Sequence, residues 1–173
     1  MSTGILRDNH TRSEHFSSCL TFPVFDDQDN CVNMIGRRIR NRQSEGSPNH
    51  LFLQGVHKGV FNEKALNVYD TTILTECPID SLSLMILGHA NTVPLYGANG
   101  LTDDHINAFR KHETKLIILG LDNDAEGRAG ADRAKKRLLN EDFPVKIIFP
   151  PKGKDWNDFL LADPDPKDID IAI

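Results

Sequence analysis

A chain of 173 residues with 39% hydrophobic and 26% charged positions has the composition of an ordinary soluble protein and enough length to bury a core. Its formal charge of -5 argues against a protein that coats nucleic acid by bulk electrostatics, so any such contact has to use a local basic patch. Three cysteines without C-x-x-C spacing encode neither a disulfide framework nor a cysteine zinc site; with no charged-then-apolar leader after Met1 and no bilayer-length apolar run, a reducing cytoplasm is the expected home and no membrane the expected partner.

The first third of the chain is irregular. Residues 20–25 (LTFPVF) predict a strand, 26–30 (DDQDN) a turn and 31–35 (CVNMI) a returning strand, which together make a hairpin. This runs into Arg37, Arg38, Arg40 and Arg42, and then into a polar loop over 43–49 (QSEGSPN).

From Tyr69 onward the pattern becomes regular. A strand over 71–75 leads to a helix over 78–87, with Pro78 in its first turn and Gly88 at its stop. A strand over 92–96 and a turn over 97–100 follow. Thr102 then caps a helix whose first turn holds Asp103 and Asp104, and which ends near His112. The apolar run 115–121 (KLIILGL) reads as a parallel strand buried on both faces, 127–141 as a helix and 145–149 as the last strand. Strands separated by single helices are βαβ units, which place all strand C-termini along one edge of the sheet.

In open α/β sheets the functional crevice lies beyond that edge, and the residues immediately after these strands are acidic. Glu76 follows the first strand, Asp122 and Asp124 follow 115–121, and Asp155 and Asp158 lie after the last one. Carboxylates converging on one edge repel unless a cation neutralises them, and Mg2+ or Mn2+, hard ions that prefer oxygen, suit that role. Such ions serve phosphoryl transfer.

Each piece also has a structural reading. Glu76 alone would be a solvated loop residue, Asp80 a complement to a helix dipole, and Asp155-x-x-Asp158 a helix cap. The segment DNDAEG from Asp122 opens like a calcium loop, but its twelfth position is Arg133 rather than glutamate and an apolar strand precedes it. The arginines around 37–42 read either as a phosphate-binding patch or as a solvated hairpin end, and Phe52, Phe61 and Trp156 as packing residues rather than base-stacking platforms.

The strand-end glutamate in LTECPIDSL and the later D-x-D in LIILGLDND resemble the TOPRIM pattern. Within that superfamily the chain resembles bacterial-type DNA primases. ECPIDSL, GHANTV and DWND are similar to the family's E-G-x-x-D-x-L, G-x-x-N-x-V and D-P-D elements, and LTFPVFDDQDNCVNMIGRR to L-x-F-P-I-x-D-x-x-G-x-V-x-G-F-G-G-R. The likeness runs from Leu20 to Leu161, and LFLQGVHKGVFN would be at home in primase-like proteins of mobile elements and phages.

The resemblance implies an α/β TOPRIM, Rossmann-like, mostly parallel sheet flanked by helices. Its expected extents are a partial N-terminal β-containing basic subdomain over 1–68, the TOPRIM domain over 69–163 and a tail over 164–173. It also implies catalytic roles for Glu76, as metal ligand or general base, and for Asp122 and Asp124 as metal ligands. Asp155 becomes a further ligand, and Asp80, Asn157 and Asp158 supporting residues. Arg37, Arg38, Arg40, Lys58 and Lys154 become the nucleotide or nucleic-acid contacts.

The implied activity is RNA primer synthesis from ribonucleoside triphosphates on single-stranded DNA with Mg2+ or Mn2+. A replicative helicase would be engaged through regions absent here, and the chain reads as a core without the family's zinc ribbon. Cys77 departs from the family glycine, Asn157 from the second aspartate of D-x-D, and Cys19 from a position often held by arginine. Two other readings are a TOPRIM nuclease or topoisomerase-type enzyme, for which only Tyr69 and Tyr96 could attack, and a non-catalytic nucleotide- or DNA-binding module.

Overall fold

The computed structural model describes residues 5–6, 14–26, 28–39, 49–53, 55 and 57–165. Its internal contacts divide the chain into two compact units, Met1–Gly59 and Val60–Ile173. No described helix is long and apolar enough to cross a membrane.

The first unit is an antiparallel sheet of β1 (Cys19–Phe25), β2 (Cys31–Arg38) and β3 (His50–Phe52), in that order. Asp26 closes the predicted hairpin: its Oδ1 accepts the backbone N–H groups of Gln28 and Asn30, both at 2.9 Å, so the side chain replaces the ladder where the chain reverses. Phe22 pairs with Ile35 across the ladder, and Phe22, Val24 and Ile35 are buried, as period-2 alternation requires. The second strand runs past its expected end at Ile35 to Arg38. Gly36 permits this, because a Cβ there would lie 2.4 Å from the ring of Phe16. The polar loop over 43–48, with Arg40 and Arg42, lies outside the described residues.

The second unit opens with a 3-10 turn (Glu63–Asn67) and continues as β4 (Thr71–Thr75), α1 (Pro78–Ile86), β5 (Thr92–Pro94), α2 (Asp103–Lys111), β6 (Leu116–Leu119), α3 (Ala125–Asn140), β7 (Val145–Ile147) and α4 (Trp156–Leu161). The strands form one parallel sheet in the order β5-β4-β6-β7, the α/β architecture expected.

Side chains on the central strands divide by parity into two apolar layers. Leu74, Ile117 and Leu119 pack with Ile106 and Phe109 of α2 and Ala131, Ala134 and Leu138 of α3. Ile73 and Ile118 face the other way, against Leu84 of α1 and Trp156 and Phe159 of α4. The sheet is therefore covered on both faces, which is why β4 and β6 are buried without alternation. Helix α3 begins at Ala125 rather than Gly127, because Asp124 caps it.

His105 in α2 is completely buried and fixed in one tautomer. Its Nε2–H donates to the carbonyl of Pro94 at 3.2 Å, while Nδ1 accepts the hydroxyl of Thr102 at 2.7 Å and the backbone N–H of Thr102 at 3.2 Å. Protonating Nδ1 would set a donor against donors. Burial accordingly pushes the imidazole down to about 4.

The folded-state value lies below the unfolded one, so the unfolded chain binds the extra proton and stability falls as pH drops from about 6.5 to about 4. Wild type should lose on the order of 3 kcal/mol more across that window than His105→Gln, read by urea unfolding at stepped pH. Parallel pH curves for the two proteins would refute this.

Candidate acidic site

The connection from β4 leads to β5 on one side of the sheet, and the connection from β6 leads to β7 on the other. Neighbouring parallel strands whose connections diverge leave a crevice at their carboxyl ends. The loops after β4, β6 and β7 open there, and they carry the acidic residues.

Glu76 directly follows β4, and its carbonyl accepts the N–H of Gly97 at 3.1 Å. Asp122 and Asp124 follow β6. Both present Oδ2 to one cation, the ammonium of Lys154, at 3.2 and 3.1 Å. The other oxygen of Asp124 accepts the N–H of Gly127 at 2.8 Å and starts α3. Gly127 is required here, because a Cβ would stand 2.3 Å from the carbonyl oxygen of Asp122.

Asp155 is the cap of α4: its Oδ1 accepts the N–H of Asp158 at 2.7 Å. The structural reading of the Asp155-x-x-Asp158 pair is therefore realised, and proximity to the other carboxylates is realised with it. Asp158 turns back instead to accept the N–H of Lys154 at 3.1 Å.

Asp80 is 3% exposed, so it is no simple dipole complement on a helix surface. The Sγ–H of Cys77 donates to its Oδ2 at 3.0 Å, and the backbone N–H of Asn157 also donates to it. Asn157 is held in turn by the hydroxyl of Ser83, at 3.4 Å from its Oδ1. Cys77 and Asn157, two of the three departures from the family pattern, thus both fasten Asp80 between α1 and α4.

These carboxylates act on one another through their charges. Burial, then Asp122 and Asp80, push Glu76 up to about 7 against the pull of Lys154. Burial, then Asp122 and Asp155, push Asp80 up to about 7 although the Cys77 hydrogen bond opposes this. Asp122 is raised by burial, with Lys154 opposing. Asp124 is lowered, chiefly by the N–H of Gly127. Lys154 is held charged by its hydrogen bonds to Asp124 and Asp122.

Among the described residues no three acidic, histidine or cysteine side chains are drawn tightly enough to hold a metal ion as they stand. The reason is local: one oxygen of Asp124 and one of Asp155 cap helices, Asp80 is bonded to Cys77, and Lys154 sits between Asp122 and Asp124. The donor set is nevertheless all hard oxygen, it carries more negative charge than its surroundings neutralise, and an ammonium already stands in for a cation. These residues fit a hard divalent ion.

In the first unit, Arg37 and Arg38 are half-buried within β2 and do not form a solvated hairpin end. Arg37 Nη1 lies 3.3 Å from Nε2 of His50, and burial together with the Arg37 charge pushes that imidazole down to about 4. Arg38 Nε is buried without a hydrogen-bond partner. Lys58 is exposed, and its carbonyl accepts from Asn33 Nδ2 at 3.2 Å.

Asn123 and Arg128 escaped the sequence reading. The guanidinium of Arg128 bonds Asn123 Oδ1 and lies 4.3 Å above the ring of Phe149, which ties the Asp122–Asp124 loop to the end of the sheet. A glycine three residues beyond the second aspartate was the available signal for this tight turn.

Residues 73–160 match the Toprim-like family. The chain is 29% identical over 160 residues to a DNA primase of Clostridium acetobutylicum, covering 90% of this chain and 26% of that protein. It is similar in fold to a DNA primase domain from Pseudomonas aeruginosa, with a TM-score of 0.77 and 21% identity over 95% of this chain and 54% of that one. A DnaG primase catalytic domain solved bound to single-stranded DNA gives 0.73 and 24% over the same shares, 95% and 54%. The chain therefore spans about a quarter of the length of the curated primase and about half of these solved chains.

Proposed function

The chain belongs to the Toprim-like family, in the form that bacterial-type DNA primases carry, and from that premise we propose that it is the catalytic core of a divalent-metal-dependent nucleotidyltransferase that makes RNA primers on single-stranded DNA. The observation that carries the proposal is the gathering of Glu76, Asp80, Asp122, Asp124 and Asp155 at the carboxyl edge of β4, β6 and β7.

In this reading Asp122 and Asp124 hold Mg2+ or Mn2+, with Asp155 beside them and Glu76 as a further ligand or as general base. The bound cation would supply charge neutralisation at the transferring phosphoryl group. As general base, Glu76 takes the proton of an attacking 3′-hydroxyl while that oxygen joins the α-phosphorus and pyrophosphate leaves. Asp80 and Asn157 are positioning residues, since they fasten α4 to α1 and with it the loop that bears Asp155. Lys154 is the proposed phosphate contact on this unit, and Arg37, Arg38, Arg40 and Lys58 are the proposed template or nucleotide contacts on the other. Single-stranded DNA binding by a structural relative supports that assignment of partner.

The test is to incubate the protein with single-stranded template, ribonucleoside triphosphates and Mg2+ or Mn2+, beside Asp122→Asn and Glu76→Gln. Template-dependent oligoribonucleotides made by the wild type and lost in both variants are expected. Strand cleavage instead would favour a Toprim nuclease, and metal binding with neither activity would leave a binding module.

A further inference from the structure

Resting on the metal-site reading above, we propose that Lys154 is a built-in counter-cation of the acidic edge: its ammonium occupies the place of a divalent ion between Asp122 and Asp124, and a metal binds there only by displacing it. The ammonium bonds Oδ2 of both aspartates, at 3.2 and 3.1 Å. A hard divalent ion seeks the same two oxygens at a shorter distance, about 2.1 Å for Mg2+. Two cations at one pair of oxygens repel, so binding is an exchange and not an addition.

The backbone is arranged so that only the side chain has to move. The N–H of Asn123 donates to the carbonyl of Lys154 at 2.7 Å, and the N–H of Lys154 donates to Asp158 Oδ2 at 3.1 Å. Gly153, with φ +84°, makes the turn before it; a Cβ there would lie 2.6 Å from Cβ of Asp158. Between these anchors the side chain is 56% exposed, free to swing into water at little cost. Arg128, beside the same loop, is bonded to Asn123 and stacked on Phe149.

Two consequences follow. The metal-free protein keeps its aspartates neutralised, and the wild type requires more metal than the carboxylates alone would. The displaced ammonium then stands at the mouth of the site, where the phosphates of a nucleotide would meet it.

Mn2+ titration of the full chain, by calorimetry and by electron paramagnetic resonance, tests this in wild type, Lys154→Gln and Asp122→Asn. Lys154→Gln should bind Mn2+ roughly tenfold more tightly than wild type, the worth of one removed charge contact near a surface. Its metal-free melting temperature should fall, and its rise on adding Mn2+ should exceed that of wild type. Lys154→Arg should stay close to wild type in affinity.

Equal or weaker Mn2+ binding by Lys154→Gln, with binding lost in Asp122→Asn, overturns the counter-cation while leaving the metal site standing. Binding that survives Asp122→Asn unchanged, or absent from both wild type and Lys154→Gln, overturns both.

Discussion

Under the proposed nucleotidyltransferase function, Glu76→Gln is expected to abolish primer synthesis and, in the same molecule, to raise the stability of the metal-free fold. On the first count, an amide neither binds a hard divalent ion as a carboxylate does nor accepts a proton, so activity should fall by about a thousandfold, within the range of a lost general base. On the second count, burial and the charges of Asp122 and Asp80 push this carboxyl from 4.5 up to about 7 in the folded protein.

Because the folded value lies above the unfolded one, the native state binds more protons between about 4.5 and about 7, and stability falls as pH rises through that window. Above it the charge is borne at full cost. The glutamine variant escapes this cost and should be more stable by about 1–2 kcal/mol at pH 8, less than the full shift implies because part of the side chain is solvated. The gap should close towards pH 4.5. Divalent cation should raise the melting temperature of wild type and leave that of the variant nearly unmoved. A variant both inactive and destabilised at pH 8 would show Glu76 to be structural.

That opposition of stability and function explains how unevenly the site can be read from residues alone. Glu76, Asp122 and Asp124 are legible because they lie at or shortly beyond the ends of two strands in an alternating strand–helix pattern, one of which, LIIL, is an apolar run. The family pattern points to Asp80 as a supporting residue, but its burial is not legible, since that depends on α4 packing against α1 and on the backbone of Asn157, which lies far away in sequence.

Lys154 reads from its type as a phosphate contact, and only the fold shows that the loop after β7 turns it onto Asp122 and Asp124. In the scaffold, β4 to β7 and their helices follow from periodicity and from proline, threonine and glycine stops, with ends displaced by a residue or two. Strand β3 is as short as β5 and β7 but lies in the irregular first third of the chain, outside the strand–helix alternation that marks those two, and the 3-10 turn over Glu63–Asn67 has no period to display.

The largest loss of stability is expected at Trp156, where core and site meet. The indole is 1% exposed, packs with Ile73, Leu84, Ile118 and Phe159, and donates Nε1–H to the carbonyl of Gly120 at 2.8 Å. A Cβ on Gly120 would lie 3.2 Å from that nitrogen, so the missing side chain makes room for the bond. Trp156→Ala removes the volume and leaves a buried carbonyl unpaired, and should cost about 3–5 kcal/mol. Trp156→Phe keeps most of the apolar contact and loses only the donor, for about 1–3 kcal/mol.

The two variants should part in metal binding as well. Trp156 is the first residue of α4, immediately after Asp155 and two residues after Lys154. Loosening the indole frees the loop that carries both, so Trp156→Ala should weaken Mn2+ binding even where enough protein remains folded to titrate, whereas Trp156→Phe should bind nearly as wild type does. Urea unfolding and Mn2+ titration on the same samples decide this. If Trp156→Ala lost its stability while its folded fraction bound Mn2+ unchanged, the acidic edge would be anchored by β4 and β6 alone, and the indole would serve only the core.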